Sequence, residues 1–404
     1  MRKIPAGPTL DANTSARLAL ALLGYFVLVT GVITLSPFDF APRPVDIYMT
    51  LSLSDMVANV ALFLPIGFLL RSLDGDRRGH GGSKLAMAAG LSILLECAQL
   101  FLRDRYASPV DVLTNTCGAY AGVLLRDRVE RWAVWHPDVV GRLGLDIPLV
   151  GLLYLLVPQL WLSGVGLADD PRRFITTLLL GCAGSIVVVA LHRHQWYGGK
   201  HLAAAVVPPI ALLWFMVGAL PALAAAPRTF SVLALSVVVI TACLLRRPEP
   251  AAERRFETDT LRRFLPVYGL YVVMAALWPP SRSLAPWHGS IGFIDRLNTV
   301  GFVELLMLLE QIGAFTLLGY AAAEWRGRRE LSLADDLPGV VLLAVGGAVA
   351  LEVAQGLTSG PGASLLRALL AASGTIYGAA VYHLARAHVR ALRRVADTSV
   401  DAAA

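Results

Sequence analysis

Charge is scarce in this chain. Only 16% of its 404 residues are Asp, Glu, Lys or Arg, against roughly 25% in a soluble domain. With 56% hydrophobic residues and a mean hydropathy of +0.62, that shortage excludes a water-soluble enzyme. Cysteine is scarce too. Cys97, Cys117, Cys182 and Cys243 all fall in apolar segments, with no CxxC pair and no His at ligand spacing. Disulfides and zinc are therefore not indicated, and no metal is assigned. Lysine is limited to Lys3, Lys84 and Lys200, and the basic residues form short clusters between apolar runs. They do not form a stripe interleaved with aromatics, so a net charge of +6 does not imply nucleic acid. A Walker loop, a dinucleotide fingerprint and a Ser-His-Asp arrangement are all missing, so neither ATP-driven chemistry nor a particular cofactor is indicated. His192, His194 and His201 share one loop region, with no carboxylate close in sequence to complete a metal set.

What the chain does have is a succession of apolar runs near 20 residues, the length that crosses a bilayer's hydrocarbon core. They predict an all-α polytopic transmembrane bundle of about 12 helices, near 17–36, 55–73, 84–102, 110–128, 146–164, 173–192, 201–219, 228–246, 264–279, 303–323, 338–357 and 365–386. The basic residues orient it. With the N-terminus taken as cytoplasmic, that side collects 26 of the 35 Lys and Arg and the other side nine. The positive-inside rule then puts both termini in the cytoplasm. The first span follows a basic start (Arg2, Lys3, Arg17) and has no small-residue cleavage site after it, so it is expected to be retained. Arg246, Arg247, Arg254, Arg255, Arg262 and Arg263 read as an orientation signal lying on anionic headgroups.

A parallel internal repeat is expected. At a shift of 256, Leu95-Glu96-Cys97-Ala98-Gln99 aligns with Leu351-Glu352-Val353-Ala354-Gln355, Ser108 with Ser364, Gly118 with Gly374 and Gly122 with Gly378. At a shift of 252, Asn59, Phe63 and Gly67 align with Gln311, Phe315 and Gly319. Leu35-Ser36-Pro37-Phe38 aligns with Leu277-Trp278-Pro279-Pro280. An even number of helices per copy gives both copies the same orientation. The domains so defined are a four-helix unit at 1–130, a four-helix middle section at 131–263, a degenerate copy at 264–390 and a cytoplasmic tail at 391–404. The copies differ chemically: Asp111 aligns with Arg367, Asn115 with Ala371, Arg105 with Pro361 and Asp55 with Met307. What remains in the second copy suggests an ion pair between Glu352 and Arg367.

Polar residues of the first copy recur at helical spacing. Asp55 and Asn59 are i,i+4; Ser92, Glu96, Gln99 and Arg103 advance by four, three and four; Asp111, Asn115, Gly118 and Gly122 do likewise. Each set lies on one helical face. By the charge count all three faces approach the extracytoplasmic side. An ionisable residue such as Glu96 within a span costs about 2.5–3.5 kcal/mol to insert, so it is expected to face the bundle or a wet cavity with a partner. Arg103, Arg105, Gln99 and Asn115 are the candidates. Glu96 and Asp111 are candidate acid/base groups, Arg105 a candidate for phosphate pairing, and Asp39, Asp55, Asn59, Gln99, Arg103 and Asn115 candidate binding residues. A polar clasp between helices is the structural alternative. Gly118-x3-Gly122 is expected to admit a neighbouring helix closely, and Pro65 with Gly67 to interrupt the second span, by default as a kink and alternatively as a break lining a substrate site.

The order Ser36-Pro37-Phe38, Asp55-x3-Asn59-x3-Phe63-x-Pro65-x-Gly67, Glu96-x2-Gln99, Arg105, Asp111-x3-Asn115-x2-Gly118-x3-Gly122 resembles the VanZ-like family of bacterial membrane proteins. The resemblance covers about residues 20–126, with a weaker echo at 265–386. It implies a four-helix membrane domain tied to the cell envelope, in the multi-pass setting of the bacterial cytoplasmic membrane. The family's name-giving member is associated with resistance to the glycopeptide teicoplanin, which makes antibiotic resistance an expectation of the resemblance. Three functions compete at this stage. One is an outward-opening site for an anionic envelope lipid or lipid-linked glycan, with membrane lipids as partners. The others are a 12-helix transporter or lipid flippase, and a structural partner of an envelope synthase or sensor.

Overall fold

The computed structural model describes residues 12–35, 40, 52–73, 81–103, 106–135, 137–165, 167, 170, 173–196, 203–246, 256–277, 286–287, 289–290, 302–327, 332–358 and 362–401. They are almost wholly helical. In chain order the long helices are α1 (Ala12–Leu35), α2 (Leu53–Ser72), α3 (Gly81–Gln99), α4 (Pro109–Trp135), α5 (Pro137–Val165) and α6 (Arg173–Trp196). After a 3-10 turn come α7 (Val207–Gly218), the six-residue α8 (Leu220–Ala225) and α9 (Pro227–Arg246). The last four are α10 (Phe256–Leu277), α11 (Phe302–Arg326), α12 (Leu333–Gly356) and α13 (Leu365–Asp401). Strand pairing among the described residues comprises a two-residue parallel pairing of Gly289–Ser290 with Ala363–Ser364, a bridge between Phe40 and Leu102 and a bridge residue at Ala107.

This is an all-α polytopic membrane bundle. Among the described residues, eight helices are long and apolar enough to cross a bilayer, and residues 149–165 and 204–218 form shorter apolar helices. All twelve expected spans coincide with described helices. α3 and α4 are outside the eight because their polar residues, which build the site below, dilute their apolar character. Pro65 does not interrupt α2, which runs unbroken from Leu53 to Ser72. A proline removes one backbone donor and crowds the preceding turn, and here the helix accommodates that loss.

The described residues fall into two units: those of 1–147 with 384–404, and those of 148–383. In the first unit α2 and α4 touch backbone to backbone. A Cβ on Gly118 would collide with the Val60 carbonyl, one on Gly122 with the Leu64 carbonyl, and one on Gly67 with the Ala119 carbonyl. Small residues allow this approach in a membrane, where association depends on packing and polar contacts. In the second unit α11 and α13 meet likewise: Gly319 abuts Thr375, Gly374 abuts Ile312 and Gly378 abuts Thr316. Phe63, Ile66 and Leu102 are fully buried in the first unit; Tyr268, Tyr271, Tyr320, Phe215 and Phe264 are among the largest fully buried side chains of the second.

Candidate polar site in the first unit

The start of α4 explains why Glu96 is where it is. Ser108 stands just before the helix, and its carbonyl accepts from the N–H of Asp111 at 3.0 Å and of Val112 at 3.4 Å. Ser108 is thus the cap residue, and its own N–H needs an acceptor outside the helix. Glu96 Oε2 supplies it at 2.8 Å. A capping-box glutamate does the same from within its own helix; here the carboxylate comes from α3, and its charge also complements the positive end of the α4 dipole.

Three more contacts tie the neighbouring helices to this point. Gln99 Nε2 donates to the Thr34 carbonyl near the end of α1 at 3.1 Å. Asn115 Nδ2 donates to Ser92 Oγ at 2.9 Å, a bond buried between α3 and α4. Asn59 Nδ2 reaches Thr114 Oγ1 at 3.4 Å and stands beside the Asp111 carboxylate. The helical faces read from the sequence therefore converge for Asn59, Ser92, Glu96, Gln99, Asp111 and Asn115. Glu96 is only 7% exposed and Asn115 only 4%, whereas Asp55 and Arg103 are exposed at the rim. Asp39 and Arg105 lie outside the described residues.

The electrostatics are one-sided. Asp111 is near enough to Glu96, and Asp55 to Asp111, for like charges to repel. Among the described residues no basic side chain pairs with any of the three. Two buried polar atoms close to this point, Ser108 Oγ and Asn115 Oδ1, lack a hydrogen-bond partner. Buried polar groups are nearly always satisfied, so these two atoms are acceptors for which a further donor is expected. No group of three His, Cys, Asp or Glu among the described residues is arranged to hold a metal ion.

The second unit has a related cluster with the opposite outcome. Glu352 Oε2 accepts from the Ser364 N–H at 2.7 Å, and Gln355 Nε2 donates to the Ala276 carbonyl at 3.0 Å. Here Arg367 closes the site. Its Nη2 donates to Glu352 Oε2 at 3.0 Å and its Nε to Oε1 at 3.2 Å, while Gln311 Nε2 donates to the same Oε1 at 3.3 Å. Arg367 also donates to the Gly362 carbonyl. The ion pair expected from the sequence is present. Gln311, Gln355, Arg367 and Glu310 line a cavity of about 70 Å³ beside it.

Sequence reasoning missed two buried charge clusters. Arg173 pairs through both terminal nitrogens with Glu310, whose carbonyl also accepts from Gln159. Asp336, 1% exposed, is held by Arg326 at 2.7 Å and His383 at 3.0 Å. Of the three glutamates of α11, Glu310 alone stands amid its apolar stretch, away from Glu304 and Glu324 at the ends, and that was the available signal; its partner lies 137 residues away.

Residues 23–129, which carry the polar site, match the VanZ/LLP1 family and in that stretch the chain is VanZ-like. No curated protein and no solved structure matches the chain.

Proposed function

We propose that the VanZ-like domain holds the polar headgroup of an envelope lipid or lipid-linked glycan in a site that opens away from the cytosol, in the cytoplasmic membrane of a bacterium. The observation that carries this reading is the convergence of Asn59, Glu96, Asp111 and Asn115, with two orphaned polar atoms beside them, inside helices that are otherwise apolar. A membrane protein places charge within a span where a ligand, an ion or a proton has to be handled. The exposed Arg103 stands at the rim, where a guanidinium pairs with the phosphate of an anionic lipid. Lipid phosphate stays at the headgroup level, while the donors of the headgroup reach inward to carboxylates and amides. A contribution to resistance against glycopeptides or other envelope-directed antibiotics follows from the same reading, as competition for, or shielding of, a lipid-linked target.

The test is substitution with the fold preserved. Glu96→Gln keeps an oxygen for the Ser108 N–H and removes the charge; Asp111→Asn removes the second charge. Both variants are expected to reach the membrane at wild-type level and to lose at least tenfold in lipid retained through purification, measured by mass spectrometry of extracted lipid. Wild-type retention in both variants contradicts the reading.

A further inference from the structure

Several contacts of the first polar site recur among residues 264–390, and the difference between the two sets bears on what the first site takes. The offsets derived from sequence, 256 for α3 and α4, 252 for α2 and 242 for the end of α1, map contact onto contact. Glu96 on Ser108 becomes Glu352 on Ser364, and Gln99 on the Thr34 carbonyl becomes Gln355 on the Ala276 carbonyl. Gly118 on Val60 becomes Gly374 on Ile312, and Gly122 on Leu64 becomes Gly378 on Thr316. Ser92 and Asn115, bonded to each other, become Ala348 and Ala371, both buried. The glutamate makes the same capping contact in both halves. Its charged neighbour differs: the Arg367 guanidinium balances Glu352, whereas the residue aligned with it, Asp111, adds a second negative charge beside Glu96.

We infer that Glu96 and Asp111 bind a primary ammonium group, in the position that the Arg367 guanidinium fills beside Glu352. Two independent features support this. In the second unit the equivalent glutamate already holds an N–H cation through both of its oxygens. In the first, Glu96 Oε1 receives no hydrogen bond from a described residue, and Ser108 Oγ and Asn115 Oδ1, both more than nine-tenths buried, wait for a donor. An ammonium has three donors and one positive charge, which suits two carboxylates and neutral oxygens. The inference deepens the lipid-headgroup reading and rests on it only for the source of the amine, which is either an aminolipid headgroup or a soluble amine.

The decisive variant is Asp111→Arg, which transplants the second unit's solution into the first. The full chain is placed in nanodiscs of phosphatidylglycerol with or without phosphatidylethanolamine, and bound lipid is counted by native mass spectrometry. Wild type is expected to retain phosphatidylethanolamine at least tenfold over its bulk share. Asp111→Arg is expected to lose that enrichment while unfolding at the wild-type temperature or above, because the new guanidinium pairs with Glu96. Asp111→Asn, which adds no new side-chain bulk, is expected to lose it too, and it decides the matter if the arginine variant does not fold. Octylammonium added to phosphatidylglycerol nanodiscs separates the sources: stabilisation of wild type but not of Asp111→Asn, without ethanolamine-lipid enrichment, assigns a soluble amine. Unchanged ethanolamine-lipid and octylammonium binding in Asp111→Asn overturns the inference, as does the absence of any amine binding to wild type. Phosphatidylglycerol retention that depends on Arg103 in those cases leaves the lipid-headgroup reading standing, and its loss removes both.

Discussion

At Glu96 the charge and the hydrogen-bond acceptor are separable. Glu96→Ala strips the Ser108 N–H of its only acceptor and is expected to cost about 1–3 kcal/mol of stability. Glu96→Gln is expected to cost less, because an amide oxygen still faces that N–H; thermal unfolding of the two variants side by side measures the difference. Equal losses would show that the carboxylate charge, and not the cap, stabilises the fold. The Ser92 and Asn115 pair gives a second residue-level prediction. Asn115→Ala is expected to destabilise the unit, whereas Ser92→Ala with Asn115→Ala is expected to cost less than the sum of the two, since Ala348 and Ala371 pack well without either polar group. A double-mutant cycle with no coupling would contradict it. Glu96, Gln99 and Asn115 were legible in the sequence because a polar group in an apolar run has to find a partner. The identity of the partner was not. The Ser108 N–H depends on where α4 begins, and the acceptor for Gln99 is a backbone carbonyl, which leaves no trace in residue type.

Helix pairing was legible for a different reason. Glycines four residues apart in an apolar run leave a groove, and α4 uses it to lie against α2. Gly118→Leu is expected to push α2 from α4 and lower stability by about 1–3 kcal/mol, the usual range for overpacking. Gly90→Ala in α3 is the control. Its added Cβ meets nothing within 4 Å, and alanine favours a helix over glycine by about 1 kcal/mol, so stability is expected to hold or rise. Unfolding temperature in detergent distinguishes them, and equal effects would contradict the close approach. Pro65 leaves α2 helical from Leu53 to Ser72, so the substrate-lining break that the sequence allowed there is absent, and close packing against α4 continues past it at Gly67. The Arg173–Glu310 and Asp336–Arg326–His383 clusters were illegible at this scale, since only the three-dimensional path of α6, α11, α12 and α13 brings the partners together.

For the whole molecule, the scarcity of charge was enough to reveal a polytopic helical bundle, and the distribution of that charge carries its expected orientation. Reporter fusions test the orientation. Alkaline phosphatase joined after Asp46 is expected to be active and the same enzyme at the C-terminus inactive, while a green fluorescent protein there is expected to fluoresce; the reverse pattern would invert the site toward the cytosol. The chain's most telling feature at this scale is an imbalance: Arg367 neutralises Glu352 from within, whereas Glu96 and Asp111 face each other without a described cation. This difference between the units is the basis for proposing one ligand-binding site, beside Glu96. A structure of the full chain in nanodiscs carved from native membranes tests this most directly. The account predicts headgroup density within hydrogen-bonding distance of Glu96 Oε1 and the Asp111 carboxylate; lipid density confined to the outer surfaces of the helices, with that position filled by the protein's own side chains, would contradict it.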